Sequence, residues 1–395
     1  MRTAILGFLR NHPRILNCSW GLARIIISFV GLFVPVRKKT ILFASFGGRN
    51  FDDSPKALYD EIISRPEFDD WELIWAFVEP ENIEIPRGRK IRIDTPAFFK
   101  ALLYSRVWIS NSGMDRNIEL KRKGTIKIET WHGTPFKKIC EDQNSGTLGN
   151  YQYHGPVDTR TIRCAQSEYD RSIFVRVFHA SEDSFLMSDL PRNDGLLKYL
   201  PEGLSEIRRK LHIPEEKKVL LYMPTFREYL IDDRGKIFLT PPMDLAKWEQ
   251  ELGNEYVLLI RAHYAVSAAM NIQENEFVRD VTRYPSINDL YAVADILISD
   301  YSSAYIDYSI LDRPMLCFAY DEKEYLEKRG LYIDLHKELP CPIDNDETQI
   351  IHRIKTMDYA KESEATRLFH MKYAPYAGNA SKVVIDTLIE RLRKQ

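Results

Sequence analysis

The sequence predicts an α/β protein of two Rossmann-like halves, each a parallel sheet with helical crossovers. Three observations carry this. The chain has 395 residues, too many for one ordinary hydrophobic core and suited to two domains. Short apolar, β-branched runs alternate with helix-length segments along both halves, the pattern of parallel strands joined by crossovers. The third is the stretch Asp295-Ile296-Leu297-Ile298-Ser299-Asp300-Tyr301-Ser302-Ser303, where a buried strand runs straight into a helix whose apolar face is Ala304, Ile306, Tyr308, Ile310 and Leu311. This places Ser302 and Ser303 in the helix's first turn, where free N–H groups and two hydroxyls can hold a phosphate. Taken alone, the same residues also read as an ordinary helix cap.

Composition excludes several classes. A charged content of 28% beside 44% hydrophobic residues describes a folded globular chain. Cys18, Cys140, Cys164, Cys317 and Cys341 form no CxxC pair, and their odd number argues against a disulfide framework and for a reducing cytoplasm. A formal net charge of −2 supplies no general basic field, so no nucleic-acid partner is expected. A P-loop lysine motif, HExxH, GxSxG and metal-ligand spacing are all missing, so neither a metal nor a cofactor is expected.

The amino-terminal segment, residues 1–39, stands apart. No Asp or Glu precedes Asp52, while Arg2, Arg10, Arg14, Arg24, Arg37, Lys38, Lys39 and Arg49 all do. The apolar run Ile25–Val36, with Trp20 near it and basic residues on both sides, is too short to span a bilayer upright. It suits the headgroup layer of an anionic membrane surface. Packing on the protein's own core and a tilted span through residues 15–36 are the alternatives.

The first half, residues 40–210, opens with strand Thr40–Phe46 and a Gly47-Gly48-Arg49-Asn50 turn into a helix near Asp53. Strands follow at Trp71–Val78, Lys90–Ile93, Arg106–Ser110 and Thr125–Thr130, the last leading into Trp131-His132-Gly133-Thr134-Pro135. A turn at Pro191-Arg192-Asn193-Asp194-Gly195 precedes the domain boundary near residue 210. The second half, 211–375, has strands at Lys218–Met223, Tyr256–Arg261 and Met315–Phe318 and a helix at Ile287–Ala294. Residues 376–395 read as an amphipathic helix capped around Asn379.

His132 and His263 each follow a predicted strand end, where open α/β sheets place their ligands. A histidine there can take a proton from a hydroxyl or donate to a phosphate, although a structural role at the turn is open for His132. Arg227 and Arg261 could fork onto phosphate oxygens or form ordinary salt bridges. Asp300 suits a cap or an orienting partner better than a base, since a second anion would oppose phosphate binding.

Trp131-His132-Gly133-Thr134-Pro135, Met223-Pro224-Thr225-Phe226-Arg227, Arg261-Ala262-His263 and Ser299-Asp300-Tyr301-Ser302-Ser303, followed by Phe318-Ala319-Tyr320-Asp321, resemble in order and spacing the CDP-glycerol glycerophosphotransferase family, which includes teichoic-acid primases and polymerases. Pro191-Arg192-Asn193-Asp194 matches a further element, with Asp189-Leu190 where Gly-Tyr is usual. The resemblance covers about residues 40–390. It implies a GT-B-like fold of two Rossmann-type domains facing a central cleft, the first on the acceptor side and the second binding the CDP donor. It also implies peripheral attachment to the cytoplasmic face of the cell membrane and transfer of glycerol phosphate from CDP-glycerol to a lipid-linked acceptor of polyprenyl diphosphate type, with release of CMP.

By the same resemblance His132 is the base and His263 the second catalytic histidine, while Gly133, Thr134, Thr225, Arg227, Arg261, Ser299, Asp300, Ser302 and Ser303 bind substrate. Primase, polymerase and capsule-type transfer stay open. CDP-ribitol as donor, a GT-B glycosyltransferase using a nucleotide sugar, and a non-catalytic assembly protein are the alternatives.

Overall fold

The computed structural model describes residues 24–114, 120, 122–143, 161–227, 229–230, 242–262 and 272–394. His263, Trp20 with the rest of residues 1–23, and Cys18 lie outside them. The described residues form two parallel sheets. The first contains β1 (Arg37–Ala44), β2 (Glu72–Phe77), β3 (Arg89–Arg92), β4 (Ser105–Ser110), β5 (Ile126–Glu129), β6 (Thr161–Ala165) and β7 (Phe185–Met187). Its order is β3-β2-β1-β4-β5-β6-β7.

The second contains β8 (Lys218–Met223), β9 (Tyr256–Ile260), β10 (Val278–Asp280), β11 (Ile296–Ser299), β12 (Met315–Phe318) and β13 (Ile343–Asp344), in the order β10-β9-β8-β11-β12-β13. Every pairing is parallel, as in two Rossmann-type sheets. Strand order therefore reverses between β1 and β4 and between β8 and β11, and ligands of such sheets bind beyond the carboxyl ends of those strands.

Burial explains which strands form. In β1 the side chains from Thr40 to Ala44 are buried, and in β11 all four are, because helices cover both faces of a parallel sheet. The strands that the sequence pattern does not announce, β6, β7, β10 and β13, are short or carry charge. Arg163 in the middle of β6 is tolerated because Glu129 of β5 pairs with it at 3.3 Å.

At the amino-terminal side, residues 24–33 are helical and β1 already begins at Arg37. This corrects the expectation that Arg37, Lys38 and Lys39 belong to the segment before the domain. Arg37 pairs with Glu72 at 3.2 Å and lies over the Tyr104 ring, while Lys39 pairs with Asp70. Part of the basic excess is thus neutralised inside the first domain.

The carboxy-terminal helix Ala380–Arg393 returns to the first domain, where Val384, Ile385 and Leu388 are fully buried among Leu58, Ile62 and Phe43. Each such side chain contributes about 1.5–3 kcal/mol. The cap expected from Asn379 is supplied from elsewhere. Asn379 makes no side-chain cap bond, and the Asp194 carboxylate accepts from the Ala380 and Ser381 N–H groups, both at 2.7 Å. A full carboxylate at a helix start also complements its dipole, so the linker and the last helix are fastened together.

Candidate active site between the two sheets

His132 stands just beyond β5, at the carboxyl edge of the first sheet. Its neighbour Trp131 has φ +58 and its ring stacks on the imidazole at 4.1 Å, while Phe46, beyond β1, lies 5.8 Å away. Nδ1 is 2.8 Å from the Asn111 carbonyl oxygen. A carbonyl only accepts, so Nδ1 carries the proton and Nε2 keeps its lone pair. Burial is the largest influence on this imidazole and holds its pKa below the ordinary value, partly opposed by the bond to Asn111 and by the Asp53 charge. The ring is therefore neutral at neutral pH and able to accept a proton.

Asn111 was not expected in the site. Its side-chain oxygen accepts from the Phe46 N–H at 2.8 Å, and Ser112 Oγ accepts from Gly47 N–H at 2.9 Å, which ties the loops after β1 and β4 together. The signal for it is the polar run Ser110-Asn111-Ser112-Gly113 directly after a strand, at the reversal of strand order.

The two domains meet at Gly133. A Cβ there would lie 2.9 Å from Ser303 Oγ, a hydroxyl that could rotate away, but the residue's φ of +146 favours glycine whatever the space. Arg192, in the linker, closes the junction. Its Nη1 donates to Asp53 at 2.9 Å and to the His132 carbonyl at 2.9 Å, and its Nη2 donates to Asp307 of the second domain at 2.6 Å. Asn193 adds a bond to Asp307 at 3.0 Å, and Asn288 donates to the Arg192 carbonyl at 2.6 Å. Arg192 and its two carboxylates are further site residues that sequence reasoning did not single out.

A cleft of about 870 Å³ opens beside this junction, with Asp52, Lys56, Arg192, Lys198, Arg261 and Asn288 on its walls. Arg261 donates to the carbonyls of Tyr284 at 2.6 Å and Val281 at 3.3 Å. Burial lowers its pKa against the weaker attraction of Tyr291 and Asp52, and among the described residues no carboxylate lies in direct contact with it. A guanidinium in that condition favours an anionic ligand. Asp52, on the same cleft, is pushed up to about 6 by burial, against hydrogen bonds from Ser45 and Asn50. Among the described residues no group of three His, Cys, Asp or Glu could hold a metal ion.

The other expected substrate contacts have different partners. Arg227 is fully buried, forks onto Asp321 with both bonds at 2.8 Å, and lies 2.9 Å from Asp300. Its guanidinium also sits 4.8 Å from the centre of the Tyr301 ring and 4.9 Å from that of Tyr325. Protein acceptors and rings thus surround it where a phosphate was expected. Asp300 takes the orienting role, accepting from the Thr225 N–H at 2.9 Å and its neighbour Tyr301 N–H at 2.7 Å.

Thr225 is buried, and Ser299 is buried with its hydroxyl on the Met223 carbonyl at 2.7 Å. Thr134 also turns inward, donating to Gln166 at 2.8 Å and lying 3.1 Å from Asp170. Ser302 and Ser303 remain partly accessible, Ser302 Oγ accepting from the Ala304 N–H at 3.1 Å. The helix after them, Ala304–Ser309, is six residues long, so the hydroxyls and the close approach of Gly133 characterise this spot more than a helix dipole does.

Residues 26–390 match the family described as CDP-glycerol:poly(glycerophosphate) glycerophosphotransferase. The chain belongs to this family. It is 34% identical over 371 residues to a teichoic acid glycerol-phosphate transferase of Staphylococcus aureus, covering 89% of this chain and 93% of that one. It is 32% identical over 376 residues to a teichoic acid poly(glycerol phosphate) polymerase of Staphylococcus epidermidis, covering 91% of this chain and about half, 52%, of that longer protein.

Among solved structures, the wall teichoic acid polymerase TagF superposes with a TM-score of 0.85 at 29% identity, covering 100% of this chain and 99% of that one. The GT-B-like fold and the enzyme class, glycerophosphotransferase, follow from membership and from this superposition. In the glycerophosphotransferase fold, His132, Gly133, Arg192, Arg261 and Ser303 gather at the meeting of the two sheets. Arg227, Asp300, Thr225 and Ser299 support the second domain's loops from within.

Proposed function

We propose that this glycerophosphotransferase moves glycerol phosphate from CDP-glycerol to a hydroxyl of a membrane-lipid-linked acceptor. The observation that supports it best is a neutral, half-buried His132 with a free Nε2 at the carboxyl edge of a Rossmann-type sheet, its carbonyl held by the same Arg192 that lines the cleft beside Arg261. His132 takes the acceptor hydroxyl's proton as the oxygen attacks the β-phosphorus in line. The bond from that phosphorus to the bridging oxygen breaks, and CMP leaves. Arg261, His263, Ser302 and Ser303 offset charge on the diphosphate, while Arg227, Asp300, Thr225, Ser299 and Thr134 hold the loops that present them.

The enzyme works on the cytoplasmic membrane face without crossing it. Helix 24–33 rests on the first domain through Ile27 and Gly31, and the Arg122 guanidinium donates to the carbonyls of Gly31 and Val34. Its outer face leaves Ile25 at 68%, Leu32 at 78% and Phe33 at 73% exposure, which suits an acyl and headgroup boundary. Among the described residues no helix is long and apolar enough to cross a membrane.

The test is nucleotide release from CDP-glycerol with a lipid-linked acceptor, for the wild type, His132→Ala and His263→Ala. CMP formed by the wild type and lost in both variants supports the mechanism. Release with CDP-ribitol alone would reassign the donor, and release of a nucleoside diphosphate from a nucleotide sugar would overturn phosphotransfer.

A further inference from the structure

Asp189, just past β7, is a fully buried carboxyl group on a left-handed backbone with φ +65. That conformation belongs mainly to glycine, and Asn or Asp hold it through local hydrogen bonds. Here Oδ1 accepts from the neighbouring Leu190 N–H at 2.7 Å. The same oxygen accepts from Gln166 Nε2 at 2.6 Å and from Asn193 Nδ2 at 3.3 Å. Each donor leads to a different part of the site. Gln166 Oε1 accepts the hydroxyl proton of Thr134, in the turn that follows His132, at 2.8 Å. Asn193 Nδ2 also donates to Asp307 of the second domain at 3.0 Å.

We infer that Asp189 is a positioning residue of the transfer, tying the turn that carries His132 to the junction of the two domains. The inference rests on the reading of His132 as base. Arg192 holds that turn through the His132 carbonyl at 2.9 Å. The chain Thr134–Gln166–Asp189–Asn193–Asp307 fixes its other side. Misplacing a catalytic group is costly in rate even when the fault lies away from the chemistry.

The tie strengthens when Asp189 ionises, because a carboxylate accepts amide N–H bonds more strongly than a neutral carboxyl group does. Burial pushes Asp189 up to about 7 against hydrogen bonds from Leu190, Gln166 and Asn193, with the Asp307 charge adding to the rise. The other titratable and charged groups around it are Asp170 on helix Glu168–Val177, Cys164 of β6, and Arg192 and Asp194 of the linker. Arg192 is shared by Asp53 and Asp307, Asp194 holds the last helix, and burial keeps Cys164 a neutral thiol. Thr134 has one hydroxyl proton and gives it to Gln166, so its 3.1 Å contact with Asp170 needs the proton of a neutral Asp170. Asp189 is then the member of the pair that carries the charge. As pH falls through about 7 it takes a proton and the tie loosens without breaking, since Oδ1 still accepts.

CMP release from CDP-glycerol with a lipid-linked acceptor, followed as a function of pH, tests this. In the wild type kcat should step down about tenfold through pH 7, the difference between a charged and a neutral acceptor, and then hold before the steeper limb of His132. Asp189→Asn keeps the shape and suits the backbone but cannot ionise. The step should vanish and kcat should stay at the lower level, while the KM for CDP-glycerol holds. Asp189→Gly fits the same backbone and removes the tie altogether, so its profile should be equally free of the step at a lower kcat still. A merely structural aspartate would change stability and leave the profile as it is. A wild-type profile with no step above the His132 limb, or a step that persists in either variant, would overturn the role of Asp189 while leaving phosphotransfer intact. No CMP from the wild type would overturn the phosphotransfer reading itself.

Discussion

Arg192 and Asp307 form a buried ion pair, 2.6 Å between Nη2 and Oδ2, that joins the linker to the second domain. The other arm of the same guanidinium holds Asp53 of the first domain and the carbonyl of His132. One side chain thus sets the distance between the domains and the backbone of the proposed base. The two carboxylates respond differently: at Asp53 the attraction of Arg192 and the bonds from Ser54 and Arg192 outweigh burial and lower the pKa, whereas at Asp307 burial raises it despite Arg192.

Removing the fork leaves two buried carboxylates facing each other. Arg192→Ala is expected to destabilise by about 3–5 kcal/mol, the usual cost of breaking a buried pair. Arg192→Lys keeps the charge but cannot span both domains, so it should fold and turn over slowly. Urea unfolding together with CMP release checks both. An Arg192→Ala protein as stable as the wild type would contradict the role given to this residue.

His132 should govern the acidic limb of the rate profile. Burial lowers its pKa, so the basic form persists to more acidic solution than for a free histidine. The limb of kcat/KM should lie below about pH 6.5. Asp52, near 6 on the wall of the large cleft, is the competing titration. An Asp52→Asn variant that keeps the limb assigns it to His132, and His132→Ala should lose on the order of 10²–10⁴-fold in rate.

Gly133→Ala would force a Cβ to 2.9 Å from Ser303 Oγ at a φ of +146. A loss of about 1–3 kcal/mol is expected from strain alone, along with activity, because the two domains meet there. Adding Ser303→Ala removes the contact but not the strained backbone, so thermal unfolding should recover only in part.

Arg227 separates a structural role from a substrate role. With Asp300, Asp321 and three tyrosine rings around it, Arg227→Met should lower stability by about 3–5 kcal/mol. A variant of normal stability whose only defect is a raised KM for CDP-glycerol would restore the phosphate contact first expected of it.

Burial pushes Asp170 up to about 8, with the nearby Asp189 charge adding to the rise. One oxygen of each carboxyl group has no hydrogen-bond partner, and a neutral acid bears that better than a carboxylate does. The folded state therefore binds a proton that the unfolded state releases near pH 4. The associated stability is complete below about pH 4 and falls away as pH rises through about 8. Unfolding free energy should decline across that window, and the decline should shrink in Asp170→Asn.

The sequence by itself determined most strands of the two sheets and pointed to their carboxyl ends for the chemistry. Strands β1, β8, β11 and β12 are legible because a parallel sheet covered on both faces demands unbroken apolar runs. His132 is legible because strand ends are where such sheets hold ligands. Tertiary structure decided which polar residues face the cleft. Thr134, Thr225, Ser299 and Arg227 have the same residue types as ligand contacts, yet the hydroxyls of Thr134 and Ser299, the N–H of Thr225 and the guanidinium of Arg227 are bonded inside the protein. Their partners lie far along the chain: Arg227 binds Asp321, 94 residues away, and Arg192 binds Asp307, 115 away. Local pattern fixes which face of a strand or helix is apolar, but a buried charge goes wherever a compensating charge has been folded against it, and only the packed chain brings those two together.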